Sequence, residues 1–512
     1  MVNDKVVSNV TGGDVYHMST VADVKAYFDA GFSFIVAEDA DYMTYRSEGY
    51  AVGEHIETDS NGDYEGTDGI KLLNLVKEYC DTYKVPYNKA KVLVRSLYLG
   101  GVMGGESTHS DGQIKENLTK MYNKLKTFPC FGGLILRDEP RGRMYETYNN
   151  WYKWLVNDLG VYRDGYMLYG ALLGMNAAEA HVNQNASSDT DGNFGLTFGL
   201  NEAQYRNYLD LYQQGLTGAE QESLCFDYYP FLETITGKRK WGTLSYNYYN
   251  ETSYSMHTQY FQNLEIFANH SKEKGYKRSL CVQSIAFYNK ASYDEIVAGA
   301  GTKANYVKVY TYHGKVSEQV MTYQLYSALA YGYEKAVYFT YMQPMNQSDS
   351  EWFADGAYMW QQQSDGSYKA VPTETYNAMK RANEEIIPFS RLLAGYNWLG
   401  TKYSAGTSAS ANVFNGTSSY SSAVLTSVSS SYDAIAGCLK DGNGNFGFMV
   451  VNADDPRLAR TNTVTLTFGA GFGKVIYYEN GVKKTADLTN GRVTLNIGAG
   501  KGVFVIPVAT GV

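Results

Sequence analysis

Cysteine is sparse in this chain, and what there is builds nothing recognisable. Five residues, Cys80, Cys130, Cys225, Cys281 and Cys438, occur at no metal-like spacing, and neither CxxC nor HExxH is present. An odd count at such spacing argues against a structural zinc or zincin centre. Cys225 and Cys281 lie inside apolar strand-like runs and read as small buried hydrophobes. No stretch approaches the roughly 18 apolar residues of a membrane-spanning helix. The opening MVNDKVVSNVTGG lacks the basic and apolar regions of a signal peptide. The Asn/Ser/Thr-rich loops favour an extracellular or cell-surface protein in its mature form, with the cytoplasm as the alternative. Positive charge is also short: the formal net charge is −9 and the pI about 5.4, with both signs interspersed. That argues against a phosphate-backbone partner and against an anionic membrane surface, so no nucleic acid is expected. No GxGxxG or GxxxxGK follows the first strand pattern, which removes the main support for nucleotide binding. No cofactor is expected.

Against only 9 Pro stand 48 Tyr. Tyrosine offers a flat apolar face and a hydroxyl at small entropic cost, a combination suited to stacking on sugar rings and equally to packing at a wet surface. A chain of 512 residues exceeds one ordinary core, so two domains are expected, one of them large enough for a barrel.

The most informative segment is GGLILRDEP, Gly132 to Pro140, an apolar run that breaks into Arg137, Asp138, Glu139 and Pro140. Such a run suits a strand buried on both faces, and its polar tail sets two carboxyls where the strand emerges. Adjacent carboxyls held close cannot both ionise freely, so one should keep its proton to higher pH and serve as a donor. The plainer reading is a strand end closed by a solvated salt bridge between Arg137 and its acidic neighbours.

From about residue 14 to 395, helical patterns alternate with short apolar runs, the signature of βαβ units. DVKAYFDAG leads to FSFIVAED, GIKLLNLVKEYCDTY to KVLVRSLYL, and IKENLTKMYNKLKTF to GGLILRDEP. The cycle continues with YETYNNWYKWLVNDLG and YMLYGALLG, NEAQYRNYLDLYQQG and SLCFDYYPF, HTQYFQNLEIFANHSKEKG and RSLCVQSIAF, EQVMTYQLYSALAYG and KAVYFTYMQP. These are seven strands, and an eighth around Val15 to Met18 completes a (β/α)8 TIM barrel over residues 1–398. GGLILRDEP is then the fourth strand, SLCFDYYPF the sixth, RSLCVQSIAF the seventh and KAVYFTYMQP the eighth. Residues 399–512 change texture, with a Ser/Thr-rich opening and then short alternating runs such as NFGFMVVNA, TVTLTF and RVTLNI and an Asn480-Gly481 hairpin signal. They predict a C-terminal antiparallel β-sandwich.

In such barrels the chemistry sits at the C-terminal strand ends, which here carry Asp138, Glu139, Asp227, Tyr228, Gln283, Tyr341 and Gln343. Asp227, between Phe226 and Tyr228, reads as a second catalytic carboxyl or as a tie to a neighbouring strand end. Gln283 reads as a substrate hydrogen-bond donor, since a buried amide needs partners at both ends. Tyr341 and Gln343 are expected to line the pocket, with Trp352 and Trp360 in the following loop stacking on a sugar face or packing internally. Arg95 and Arg137 stand at strand ends where they would orient a carboxyl. Glu38 ends the second strand; His313 and Glu318 open the loop and helix between the seventh and eighth strands, Glu318 also being favoured there by the helix dipole. The acidic segment HIETDSNGDYEGTDG lacks the closing glutamate of a calcium loop and reads as solvated.

The fourth strand ending in an acid followed by Pro140 resembles the Asn-Glu-Pro end of clan A glycoside hydrolases, which include families 5 and 42. Taken with FDYYPF, YFQNLEIFANHSKEKG and QLYSALAYGYEKAVYFTYMQP, the chain is similar to bacterial family-42-like barrels with an appended sandwich, over about residues 14 to 508. The resemblance implies a carbohydrate substrate, Glu139 as acid/base and Asp138 in the place of the Asn. It also exposes a departure: the clan's nucleophilic glutamate ends the seventh strand, where CVQSIAF carries Gln283, and an amide cannot form the glycosyl ester. Three accounts stand. Asp227, Glu318 or Glu38 replaces the carboxylate; the substrate's 2-acetamido group is the nucleophile, as in families 18 and 20; or the chain binds carbohydrate without catalysis.

Overall fold

The computed structural model describes residues 11–15, 18, 20–37, 67–137, 140, 144–174, 202–213, 222–241, 246–256, 258–288, 306–311, 314–342, 352–362, 364, 368–408 and 413–510. Eight strands close into a barrel: β1 (Thr11–Val15), β2 (Phe34–Ala37), β3 (Lys91–Arg95), β4 (Phe131–Ile135), β5 (Met167–Leu173), β6 (Glu222–Asp227), β9 (Lys277–Gln283) and β12 (Lys335–Phe339). The pairings resolved between successive strands from β1 to β6, and between β6 and β9, are parallel. This is the TIM-barrel class that the alternating pattern predicts, with the predicted fourth, sixth, seventh and eighth strands in those places around the ring.

Local chemistry explains the element boundaries. Thr20 and Asp23 form a capping box at the start of helix Val21–Asp29, and Ser110 with Gln113 does the same for Asp111–Leu125. The run KVLVRSLYL, expected as one strand, stops at Arg95 because the Ser96 hydroxyl accepts from the Leu99 amide and caps a helix over Leu97–Gly104. The first strand lies earlier than expected, in the glycine-bearing TGGDV, which has no apolar run to betray it. SLCFDYYPF likewise divides: β6 ends at Asp227, and Phe231 opens a hairpin of β7 (Phe231–Trp241) and β8 (Tyr246–Met256) that no turn signal had announced. Within the barrel, Gly133 takes a φ of 150° and a β-carbon there would stand 1.9 Å from the Met167 carbonyl oxygen, so only glycine lets β4 and β5 approach.

The chain divides into two compact units. The first comprises Met1–Tyr228, Asn263–Cys281 and Tyr333–Val337, and holds β1 to β6 with most of β9 and β12. Its core is apolar strand residues such as Ile35, Leu93, Leu134 and Phe226 covered by helix residues such as Val76, Leu118, Leu155 and Leu209, all essentially inaccessible.

The second comprises Tyr229–Gln262, Val282–Gly332 and Tyr338–Val512. It contains the β7–β8 hairpin extended by β11 (Tyr306–Thr311), a two-stranded pairing of β10 (Ala286–Tyr288) with β13 (Trp352–Ala354), and the predicted sandwich. There a six-stranded sheet and a three-stranded sheet, both antiparallel and beginning at Tyr396 and Leu425 respectively, enclose Leu425, Ala436, Phe448, Val464, Leu466, Val475 and Val505. The alternation of RVTLNI, exposed and buried by turns, is that of a strand with one wet face. Helix Glu318–Ala330 is buried on every side from Val320 onward. The Tyr323 hydroxyl donates to the Ala453 carbonyl and Tyr331 meets Tyr403 hydroxyl to hydroxyl.

Candidate functional site

In the first unit the end of β4 is held on both sides of the predicted acids. The Leu136 amide donates to the Tyr169 carbonyl at 2.8 Å. Arg137 gives its two terminal nitrogens to the two carboxylate oxygens of Glu106, each at 3.0 Å, and Nη1 also reaches the Gly100 carbonyl at 3.4 Å. Beyond the acids, the Pro140 carbonyl accepts from the Tyr208 hydroxyl at 3.0 Å. Asp138 and Glu139 themselves lie outside the described residues, as do Glu38, His313, Gln343 and most of the acidic segment HIETDSNGDYEGTDG. The Arg137 fork is matched bidentately by Glu106, from the connection after β3, while the expected pairing with its own acidic neighbours falls on residues outside the described ones.

Arg95, the last residue of β3, is in register with Ile135. Asp227, the last residue of β6, is in register with Leu173, and its carbonyl accepts the Gly174 amide at 3.1 Å. It is 9% exposed, with Oδ1 withdrawn from solvent. A carboxyl this deep belongs to a site or to a tie, since desolvation makes an idle one costly. Tyr228 is buried beside it, its ring so close over Gly174 that a β-carbon there would lie 2.5 Å away, and burial pushes its hydroxyl pKa up.

In the second unit the seventh strand ends differently from expectation. Gln283 is fully buried. Its Oε1 accepts the Phe231 amide at 3.1 Å, and its Nε2 donates to the Phe231 carbonyl at 3.3 Å and the Gly314 carbonyl at 3.1 Å. Its backbone is bracketed by the Gln324 amide, at 2.8 and 3.1 Å. The expectation of a substrate-facing amide is therefore corrected: both ends of the side chain are committed to the chain's own backbone. Glu318 is likewise no idle acid. Arg381 and Lys501 pair with it, and although burial works to raise its pKa, the two cations hold it below the ordinary value. Tyr341 is buried, its ring 5.4 Å from that of Tyr358. Trp352 pairs through its backbone with Tyr288, and Trp360 with Ala370.

Sequence reasoning passed over two acids. Glu106 had no signal beyond its place after a Gly-Gly pair. Asp355 follows β13 with a φ of 64°, one residue past the Ala354 to Ala286 pairing and so close along the ladder to the end of β9. Asp355 is exposed at the surface; desolvation by the chain around it raises its carboxyl pKa while Lys315 pulls it down. A left-handed backbone at a non-glycine residue was the only trace it could have left, and composition does not display that. Among the described residues no group of three or more His, Cys, Asp or Glu is arranged to hold a metal ion, and no helix is long and apolar enough to cross a membrane.

No protein-family model and no curated protein matches this chain. Solved structures similar to it include an α-amylase from Anoxybacillus, at 9% identity over 99% of each chain with a TM-score of 0.45. A GH27 β-L-arabinopyranosidase from Geobacillus stearothermophilus is 9% identical over 99% of this chain and 97% of that one, with a TM-score of 0.43. A noncanonic maltogenic α-amylase from Thermotoga neapolitana is 7% identical over 98% and 99%, with a TM-score of 0.42. These neighbours are glycoside hydrolases; at such identities no residue and no substrate passes from them to this chain.

Proposed function

We propose that the chain hydrolyses O-glycosidic bonds, with Glu139 protonating the leaving oxygen, Asp227 as the second carboxyl and Asp138 binding the sugar beside them. The observation that carries this reading is the placement of Asp227. Ile135 pairs with Tyr169 and Leu173 with Asp227. Asp227 therefore closes β6 two strands away from β4, the strand that in sequence leads into Asp138 and Glu139. Neighbouring strands are about 4.8 Å apart, so β4 and β6, separated by β5, run roughly 10 Å apart. Carboxyls reaching toward each other across that interval would fall in the range of about 5 to 9.5 Å that glycosidases use, the short end for retention and the long end for inversion.

The commitment of Gln283 to backbone favours a second reading. With no carboxylate offered by the end of β9, a 2-acetamido sugar would supply its own nucleophile, Asp138 orienting it and Glu139 remaining the acid. A carbohydrate-binding barrel without catalysis is the rival from another class. Hydrolysis of a nitrophenyl glycoside panel that includes 2-acetamido sugars separates the three. Turnover confined to 2-acetamido substrates supports substrate assistance, and sugar binding without turnover supports the binding protein. For the hydrolase, Glu139→Gln should lower kcat/KM by about 10²- to 10⁴-fold on substrates with poor leaving groups. A Glu139→Gln protein as fast as wild type removes Glu139 from the acid role. An extracellular or cell-surface location is part of the same proposal, tested by fractionating the source cells.

A further inference from the structure

In the second unit, the hairpin that follows β6 carries an aromatic ring that is firmly backed yet open to solvent. Tyr254 of β8 is 44% exposed. It stands directly opposite Glu233 of β7, and Phe231, two residues before Glu233, shares that face. Arg457, with a side chain only 5% exposed, lies over both rings, its guanidinium carbon 4.7 Å from the centre of Tyr254 and 5.1 Å from that of Phe231. The guanidinium is itself fixed. Nε and Nη2 meet the two carboxylate oxygens of Asp455 at 2.9 and 2.6 Å, and Nη1 donates to the Leu232 carbonyl at 2.7 Å. A ring backed in this way is ordered before any ligand arrives, so stacking on its remaining face loses little side-chain entropy.

The same face is tied to the end of a barrel strand. Gln283, which closes β9, donates to the carbonyls of Phe231 and Gly314, and the next amide along, that of Lys315, donates to Glu233 Oε2 at 2.7 Å. A β-carbon at Gly314 would stand 3.1 Å from that of Glu233 and 3.2 Å from Arg457 Nη1, so glycine lets the loop close on the strand pair. Barrels of this class bind their ligands at the C-terminal strand ends, and the ring is built out from one of them.

The surroundings define what could lie on it. One face of the ring already carries a cation, and a second cation on the opposite face would be repelled across it. Glu233, Asp455 and the exposed Asp355, close enough to the exposed Lys315 to be pulled down in pKa, disfavour an anion. Tyr254 and Leu458, which is also 44% exposed and follows Arg457, make only a small apolar patch. A stable protein interface buries roughly 1,200 to 2,000 Å². What fits is a neutral ring with an apolar face and a polar rim. A pyranose has both: C–H bonds for the tyrosine, and hydroxyls for the charged groups around it.

We propose that Tyr254 is the stacking platform of a subsite that holds a neutral pyranose unit of an oligosaccharide. The inference rests on the reading of the chain as a protein that acts on carbohydrate. The probes are maltohexaose, cellohexaose, xylohexaose, mannohexaose and chitohexaose, titrated calorimetrically into the full chain. Tyr254→Ala should weaken the best of these about tenfold. Tyr254→Phe, which keeps the ring, should lose far less. Tyr254→Thr suits a strand and repeats the test should alanine lower the unfolding midpoint. Unchanged affinity in Tyr254→Ala and Tyr254→Thr, or an equal loss in Tyr254→Phe, overturns the inference, as does a wild-type chain that binds no hexaose. If nitrophenyl glycosides are hydrolysed while hexaose affinity ignores Tyr254, only this inference falls. A chain that neither hydrolyses those glycosides nor binds a hexaose overturns the carbohydrate reading with it.

Discussion

Restoring the clan's glutamate at the end of the seventh strand, Gln283→Glu, should damage the protein rather than equip it. The amide nitrogen donates to the Phe231 and Gly314 carbonyls in a place with no solvent access. Glutamate replaces that donor with an oxygen facing two oxygens. The Phe231 carbonyl retains the Gly314 amide at 3.0 Å, so one acceptor is partly provided for and the other is left bare. A buried polar group left unsatisfied costs about 1 to 3 kcal/mol, and more if charged, so a loss of roughly 2 to 4 kcal/mol is expected near neutrality. Burial raises the pKa of such a carboxyl above its ordinary value of about 4.3. The raised folded value means that the penalty grows as pH climbs through it. At pH 5 the protonated acid still donates one hydrogen bond and the deficit is smaller than at pH 8. Urea and thermal unfolding of the full chain at both pH values measures this. A variant as stable as wild type at pH 8, or one that gains glycosidase activity, would refute the structural role assigned to Gln283.

Other expectations follow from single contacts. Gly174→Ala drives a methyl to 2.5 Å from the Tyr228 ring at the point where the Gly174 amide holds the Asp227 carbonyl, and should cost about 1 to 3 kcal/mol by overpacking. A wild-type unfolding midpoint in that variant would show that the ring has room to move. Lys335 opens β12 and reaches across to the Met167 sulfur of β5 at 3.8 Å, with burial lowering its pKa to about 8 while Glu334 raises it and Lys277 lowers it further. Since its charged form is the disfavoured one, the cost is present at pH 7 and fades as pH rises from about 8 toward 10.5. Lys335→Met should therefore raise the thermal midpoint at pH 7 and lose that advantage by pH 10.5; an equal gain at both pH values contradicts the assignment.

Much of the barrel was legible because its strands are buried on both faces and so read as uninterrupted apolar runs, such as Val92–Val94 and Leu134–Leu136, set between amphipathic helices. The sandwich declared itself by the opposite rule, alternation with one wet face. What escaped was whatever lacked a period. β1 rests on TGGDV, the β7–β8 hairpin sits inside a polar, tyrosine-rich stretch, and the break at Ser96 depends on one hydroxyl.

At the candidate site the division is sharper. The carboxyls at the ends of the fourth and sixth strands were named from the sequence, because a polar residue closing an apolar strand is a local pattern. The partners of the groups around them were not. Glu106 lies 31 residues before Arg137, and Phe231 lies 52 before Gln283. Sequence by itself determined which segments become strands and helices and which residues stand at their ends, since periodicity and burial act over a few residues. Only the tertiary structure decided which charges cancel and which amides are spent on backbone, because hydrogen bonds and ion pairs reach about 3 Å in space whatever the distance along the chain.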